Sequence, residues 1–464
     1  MRNRYARWLL ALALSWAITC VSSCSRQEST PGEQFDLKPR ANGFHQNLPQ
    51  ESQVAHLLAV VYSSDERGEI RSPGAKKADL GGLGRRATFL EQVRAETHDV
   101  LALHAGDLFA GNGQQARLKA GLAVRTLAEM RYDAVTLGEL DLSFGRAYLE
   151  VIFKEIALPI VSCNVVHADT HKPFAPHPYI LKEMLGGYEV LILGATSQAF
   201  RTQFEAEGLK VLPLEETLRR YLRQLASGRL VIVLAHAGRD EASQLARSVP
   251  GIDLIVVGHM DNPPLPAERA WRVGDTLLVV SQPKGRHVGR LNLSLNDKAM
   301  PVRMFNEHVP MDNTLAEPEG FLALFKHYQA ALRELVPAGA PGPPQYATAQ
   351  RCYECHEQAA AVWVRSQHAR AMESLVSMGQ EFDPECVGCH SLGYGKPGGF
   401  VSLETTPKLA NVQCENCHGP GLDHLLNQDA PYGENAAQSC VQCHTDDFSP
   451  DFHYAEYWKE IIHQ

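Results

Sequence analysis

Between residues 352 and 444 the pentapeptide Cys-x-x-Cys-His occurs four times, and no other feature restricts this chain so strongly. The copies are Cys352-Tyr-Glu-Cys355-His356, Cys386-Val-Gly-Cys389-His390, Cys414-Glu-Asn-Cys417-His418 and Cys440-Val-Gln-Cys443-His444. Two thiols three positions apart reach the two vinyl groups of one porphyrin and form thioethers. The next imidazole then lies under the iron as proximal ligand. A pair of zinc sites could use the same cysteines, but zinc gives no reason for a histidine after every pair. The spacing therefore predicts four covalently bound haems of the c type. The segment around these motifs is poor in aliphatic residues, so the porphyrins would supply the apolar volume of its core. Without haem it is expected not to fold.

The distal side of each iron is less determined by sequence. His368, His424, His453 and His463 are candidate distal ligands, each with a surface histidine as its alternative. Met372 and Met378 could also serve, although packing is the commoner use of methionine.

The remaining cysteines are Cys163, alone and expected to be a buried thiol, and Cys20 and Cys24 near the N-terminus. Arg2, Arg4 and Arg7 precede a short apolar stretch over 8–18, the pattern of an export signal rather than a membrane span. Val21-Ser22-Ser23-Cys24 resembles a lipobox, making Cys24 the candidate lipidation site, with ordinary signal cleavage as the alternative. Ser25 after the cysteine favours the outer membrane. The expected location is the periplasmic side of the membrane, through a lipid anchor. A formal charge of −9 and no long basic run argue against a nucleic-acid partner. A redox protein is expected as partner, its identity open.

The rest of the chain has a different grammar. Residues 1–23 form the leader, and the polar stretch 24–52 reads as a tether. Apolar runs over 56–62, 100–104, 134–137, 160–163, 190–194, 230–235, 254–257, 276–280 and 290–295 predict strands. Helical patterns over 85–94, 115–130 and 214–225 lie among them, so 53–312 predicts an α/β domain. A helix over 321–335 and a Pro/Gly-rich linker over 337–344 make 313–345 a connector. The haem module follows over 346–464.

Chemistry-bearing residues gather at the C-terminal ends of the predicted strands. Asp107, Glu139, Asp141, His236, His259 and Asp261 all stand there, and Asp65 follows the first strand. Carboxylates and imidazoles so gathered suit a hard-to-borderline metal ion, although a structural histidine or a capping aspartate is the default for any single one.

Two resemblances follow from these residues. The elements Trp363…Ser366-x-His368-Ala, Asp383-Pro-Glu-Cys386-Val-x-x-Cys389-His390 and Cys414-Glu-x-Cys417-His418-Gly-Pro-Gly-x-x-His424 resemble the tetrahaem cytochromes typified by the electron acceptor of hydroxylamine oxidoreductase. That resemblance implies rapid electron hopping, a mainly α, loop-rich fold, and His368 and His424 as distal ligands. In that family some haems lack a distal ligand. Asp65, Leu83-Gly84-Arg85-Arg86, Gly106-Asp107, the run Tyr132 to Gly138, Asn164, His236 and Gly258-His259 resemble the metallophosphoesterase domain of 5′-nucleotidases and thiosulfohydrolases. This implies a four-layer α/β/β/α sandwich with a dinuclear metal site that activates water.

Carried over position by position, one metal site persists in altered form as Asp107, Glu139 (Asn in the family), His236 and His259. The other keeps Asp65 and Asp107, but Arg67 and Asp261 replace two histidines, and Arg67 could pair with Asp65. The histidine that assists the leaving group falls on Leu140, and its supporting aspartate on Ser143. The expectation is an electron-transfer cytochrome carrying a hydrolytically inactive domain that binds at most one divalent ion. The alternative is a metal-dependent enzyme, hydrolase or oxidoreductase, acting on a small substrate through a remodelled mononuclear site coupled to the haems.

Overall fold

The computed structural model describes residues 44–47, 54–72, 79–260, 264–265, 269–335, 342–429, 432–433, 436–445, 448–449 and 451–463. Cys24, Asp261 and most of the Pro/Gly-rich linker lie outside the described residues. No helix among the described residues is long and apolar enough to cross a membrane.

The first strands set the architecture by their side-chain alternation. In β2 (His56–Ser63), Leu58, Val60 and Tyr62 face one way and Ala59 and Val61 the other, and all five are buried. A strand buried on both faces must lie in a covered sheet. With β1 (Phe44–Asn47), β3 (Asp99–His104), β4 (Ala134–Val135), β13 (His287–Leu295) and β14 (Pro301–Pro310) it forms a six-stranded sheet of order β1-β14-β13-β2-β3-β4. A second six-stranded sheet contains β6 (Ile180–Glu183), β7 (Glu189–Thr196), β9 (Leu230–His236), β10 (Leu254–Gly258), β11 (Ala270–Val273) and β12 (Thr276–Val280). Its order is β11-β12-β10-β9-β7-β6. The short strands β5 (Val165–His167) and β8 (Leu209–Val211) pair with each other, antiparallel. The two large sheets pack face to face through Leu58, Val60 and Leu101 of the first and Ile192, Leu234 and Val256 of the second. Helices α1 (Leu83–Glu96) and α2 (Gly113–Glu129) cover the first sheet's outer face. Helices Leu214–Leu225 and Arg239–Ser248 cover the second. The result is the expected α/β/β/α sandwich.

Three expectations need correction. Residues 160–163 form no strand; Ile160 and Val161 make only isolated bridges, to Val135 and His177. Phe44–Asn47, inside the expected tether, is a strand that pairs antiparallel with β14. An edge strand is held by main-chain hydrogen bonds on one side, so it needs no apolar alternation to reveal it. The helix assigned to the connector, Glu319–Arg333, belongs to the sandwich: Phe321, Phe325, Tyr328 and Leu332 are buried in the cluster beneath α1 and α2.

The C-terminal module is a set of short helices joined by loops. Its buried apolar cluster is Met372, Leu375, Val387, Leu392, Phe400 and Leu409. One segment of it, residues 379–385, docks on the first domain. Gln115 of α2 donates to Asp383 Oδ1 at 2.7 Å, Gln329 donates to the Gly379 carbonyl at 2.9 Å, and Lys119 pairs with Glu385. The Arg333 guanidinium lies over the Phe382 ring at 4.2 Å.

Candidate functional site

In the C-terminal module each pentapeptide sits on or beside a short helical turn. The spacing of the imidazoles tests whether these residues fit haem. An imidazole nitrogen lies about 2.0–2.1 Å from a first-row metal ion, so two rings on opposite faces of one ion have centroids about 6 Å apart. His356 and His424 have ring centroids 6.4 Å apart, His368 and His444 6.2 Å, and His418 and His463 5.8 Å. Three pentapeptide histidines thus each have a histidine from elsewhere at a ring separation compatible with a shared iron.

The fourth, His390, faces no other imidazole among the described residues. Its Nδ1 donates to the Ala371 carbonyl at 2.7 Å, which fixes the tautomer and leaves Nε2 for a metal. His453 is exposed and makes no ring contact with another imidazole among the described residues; it stays a distal candidate. Met372 is buried in the apolar cluster and Met378 is exposed. The Cys352 and Cys414 thiols lie near each other, as do those of Cys389 and Cys443, so the first motif adjoins the third and the second adjoins the fourth.

Sequence reasoning passed over two residues that hold this arrangement. Glu415, buried inside the third pentapeptide, accepts N–H groups from Ala347 at 2.9 Å, Thr348 at 2.8 Å and Gly421 at 2.6 Å. Gln413 accepts from the Ala349 N–H at 2.7 Å. Together they cap the helix Ala349–Cys352 that leads into the first motif.

In the sandwich, Asp107, Glu139, His236 and His259 bring one ligand atom each within 4.8 Å of one another. They come from the C-terminal ends of β3, β4, β9 and β10. His236 Nδ1 donates to the Ala105 carbonyl at 2.9 Å, and Nε2 lies 2.8 Å from Glu139 Oε2 and 3.6 Å from Asp107 Oδ1. His259 Nδ1 is 3.2 Å from Glu139 Oε1. Two carboxylates and two imidazoles match the charge of a divalent ion.

The electrostatics show that this cluster favours a cation. Burial alone would depress His236, yet the Asp107 charge and the Glu139 hydrogen bond raise its pKa to about 9. Burial pushes Asp107 up to about 8, against the pull of His236, and its Oδ2 is a buried atom without a hydrogen-bond partner. Burial also acts upward on Glu139, but hydrogen bonds from His236 and His259 hold it well below the usual carboxylate range. The residues present therefore fit a metal ion.

The backbone carries the marks of a strained site. Asp65, Arg67, Asp107 and His259 all have φ between 51° and 61°. Each such residue costs about 1–3 kcal/mol, and such strain clusters at functional sites. Gly106 and Gly138 allow the close approach: a Cβ on either would collide with the His236 ring, and on Gly138 also with Asp107.

Asp141 takes another part than that of a ligand. Its two oxygens accept N–H groups from Asp107, Leu108, Phe109 and Gly138 at 2.8–3.1 Å, shaping the loop that presents Asp107. Phe200, which sequence reasoning also missed, lies over the two ligand imidazoles, with centroids 4.4 Å from His259 and 5.2 Å from His236.

The second cation position is altered. Arg67 Nη2 lies 3.3 Å from Asp65 Oδ1 and donates to the Met260 carbonyl at 2.9 Å, so a guanidinium stands beside the carboxylate that would hold the ion. Asp65 Oδ2 accepts the His259 N–H at 3.0 Å. Leu140 contributes only its N–H, donated to Asp107 Oδ1 at 2.9 Å. Ser143 bonds back to the Leu140 carbonyl. His104 and Cys163 lie apart from the cluster. His104 Nδ1 accepts the Gly106 N–H at 3.2 Å, close to the buried Glu66–Arg86 pair. The Cys163 thiol is pushed up to about 12 by burial.

Comparison with known proteins bears on both domains. The family model described as cytochrome c554 and c-prime matches residues 351–419. Cytochrome c-554 of Nitrosomonas europaea is 38% identical over 87 residues, 16% of this chain and 37% of that protein. The snake venom 5′-nucleotidase of Crotalus adamanteus is 26% identical over 296 residues, 57% of this chain and 50% of that protein. This chain fuses a 5′-nucleotidase-like domain to a cytochrome c554 domain. The fused chain spans about half the length of the curated nucleotidases that it matches. The 5′-nucleotidase precursor of Thermus thermophilus superimposes with a TM-score of 0.54 at 20% identity, covering 76% of this chain and 73% of that one. At that identity the likeness speaks for the fold.

Proposed function

We propose that this protein is an exported electron-transfer cytochrome carrying four haems, attached through Cys352/Cys355, Cys386/Cys389, Cys414/Cys417 and Cys440/Cys443. The observation that carries the reading is the set of three imidazole pairs at 5.8–6.4 Å. The bound haem iron would supply one-electron chemistry by cycling between ferrous and ferric. The protein's part is to hold His424, His368 and His463 opposite His356, His444 and His418, and to keep His390 in one tautomer. The leader and Cys24 support export and a lipid anchor on the periplasmic side, with the outer membrane favoured, and the partner is a redox protein.

The nucleotidase-like domain would hold one divalent ion through Asp107, Glu139, His236 and His259 and would not hydrolyse phosphate esters. Leu140 offers no side-chain proton to a leaving group, and Arg67 places a fixed positive charge beside Asp65. A second reading, a mononuclear enzyme for a small substrate, draws on the partnerless Asp107 Oδ2 and the strained backbone. A pyridine haemochrome assay is expected to return four haems per chain; fewer would contradict the cytochrome reading. Metal analysis is expected to give about one non-haem metal per chain, lost in Glu139→Ala/His236→Ala, with no phosphate released from nucleoside monophosphates. Absence of non-haem metal would overturn the metal site and the enzyme reading together.

A further inference from the structure

Among the described residues, the fused domain makes hydrogen-bond and ion-pair contact with the helix that carries the second pentapeptide. It lies on the helix Pro384–His390, whose N-cap Asp383 accepts the Glu385 N–H at 2.9 Å and also the Gln115 amide from α2 at 2.7 Å. Glu385, immediately before Cys386, pairs with Lys119, whose side chain is 14% exposed. Gln329 and Arg333 of the helix Glu319–Arg333 hold Gly379 and Phe382 just upstream. At the helix's other end His390 is fixed to the Ala371 carbonyl, and it alone among the four proximal histidines faces no imidazole among the described residues.

We propose that the nucleotidase-like domain sets the redox behaviour of the haem attached at Cys386 and Cys389, with Lys119 acting through Glu385 as a positioning and charge-balancing residue. The inference rests on the cytochrome reading above. Its physics is that of a local charge. Oxidation of a haem iron adds one positive charge, so an uncompensated carboxylate next to the attachment cysteine favours the oxidised form. The Lys119 ammonium offsets that carboxylate across the domain interface. The fused domain thereby contributes to electron transfer without catalysing any step, and it acts on one haem of the set.

The sign of the effect separates this role from mere support. In full-length holoprotein, Lys119→Gln is expected to move the midpoint of one haem downward, by about tenfold in its reduced-to-oxidised ratio, or about 59 mV for one electron. Glu385→Gln is expected to move the same midpoint upward, the double variant to return near wild type, and Lys119→Arg to keep the wild-type value. A variant that only loosened the interface would shift both single changes in one direction. The measurement is a spectroelectrochemical titration resolving individual haems, with haem content counted in parallel. Titrations that superimpose on wild type, or single variants that move the same way, would overturn the inference. A haem count below four would instead strike the cytochrome reading. Where Lys119→Gln loses haem, the comparison of Lys119→Arg with Glu385→Gln carries the test: equal midpoints would refute it.

Discussion

The two halves of this chain solve the problem of a core in opposite ways. The sandwich buries three apolar clusters, one between its sheets and one under each helical layer, built from Leu, Val, Ile and Ala. Among its described residues the cytochrome domain buries one apolar cluster of six. At about 25 cal/mol per Å² of buried apolar surface, so small a cluster cannot offset the conformational entropy of the whole module. The lesson is that one half draws its stability from the polypeptide, whereas the other, on the proposed reading, would draw it from the haems joined to it.

That contrast can be broken most forcefully by withholding haem. Replacing Cys414 and Cys417 by serine is expected to leave three haems and to open the module to protease, because the third motif also caps the first through Glu415. The sandwich, residues 54–335, should resist under the same digestion. Protection of both halves would refute the contrast.

The next effect belongs to the sandwich. Leu234 is fully buried between the sheets, and Leu234→Ala should cost about 2–5 kcal/mol in denaturant unfolding of that half. The haem absorption spectrum should be unchanged.

A smaller, graded effect comes from pH. Burial holds His104 well below the ordinary imidazole value, and burial with the Arg269 charge holds His308 at about 3. Both are bases with depressed folded pKa values, so the stability they permit is complete above the unfolded value near 6.5. It is lost as pH falls from there toward the folded values, at up to about 1.4 kcal/mol per pH unit per group. Unfolding midpoints of the sandwich measured between pH 7 and pH 4 should fall, and His308→Gln should flatten the slope. A pH-independent midpoint would contradict this account.

How legible each part was follows from the range of its determinants. The pentapeptides could be read directly because covalent attachment fixes cysteines and histidine within five residues. The candidate ligands Asp107, Glu139, His236 and His259 could be named because each ends or follows a strand whose apolar run is visible, although their convergence depends on two strand orders. The pairing of His463 with His418 could not be read, since residues 45 positions apart meet only in the folded module. Asp141 looked like one more ligand; its acceptance of four N–H groups is a property of the folded loop. Phe200 carried no signal, being one apolar residue among many. The edge strand Phe44–Asn47 escaped because hydrogen bonds to β14, rather than side-chain pattern, define it.

That edge strand also limits how far the molecule could travel. If Cys24 carries the lipid, the leash is residues 25–43 rather than the whole polar stretch. Fully extended at roughly 3.3–3.6 Å per residue, it would span at most about 68 Å. Only redox partners that come within that radius of the bilayer, allowing for the protein's own size, could then exchange electrons with it. The pairing of four residues with β14 thus sets a search volume, and with it a ceiling on the distance between donor and membrane.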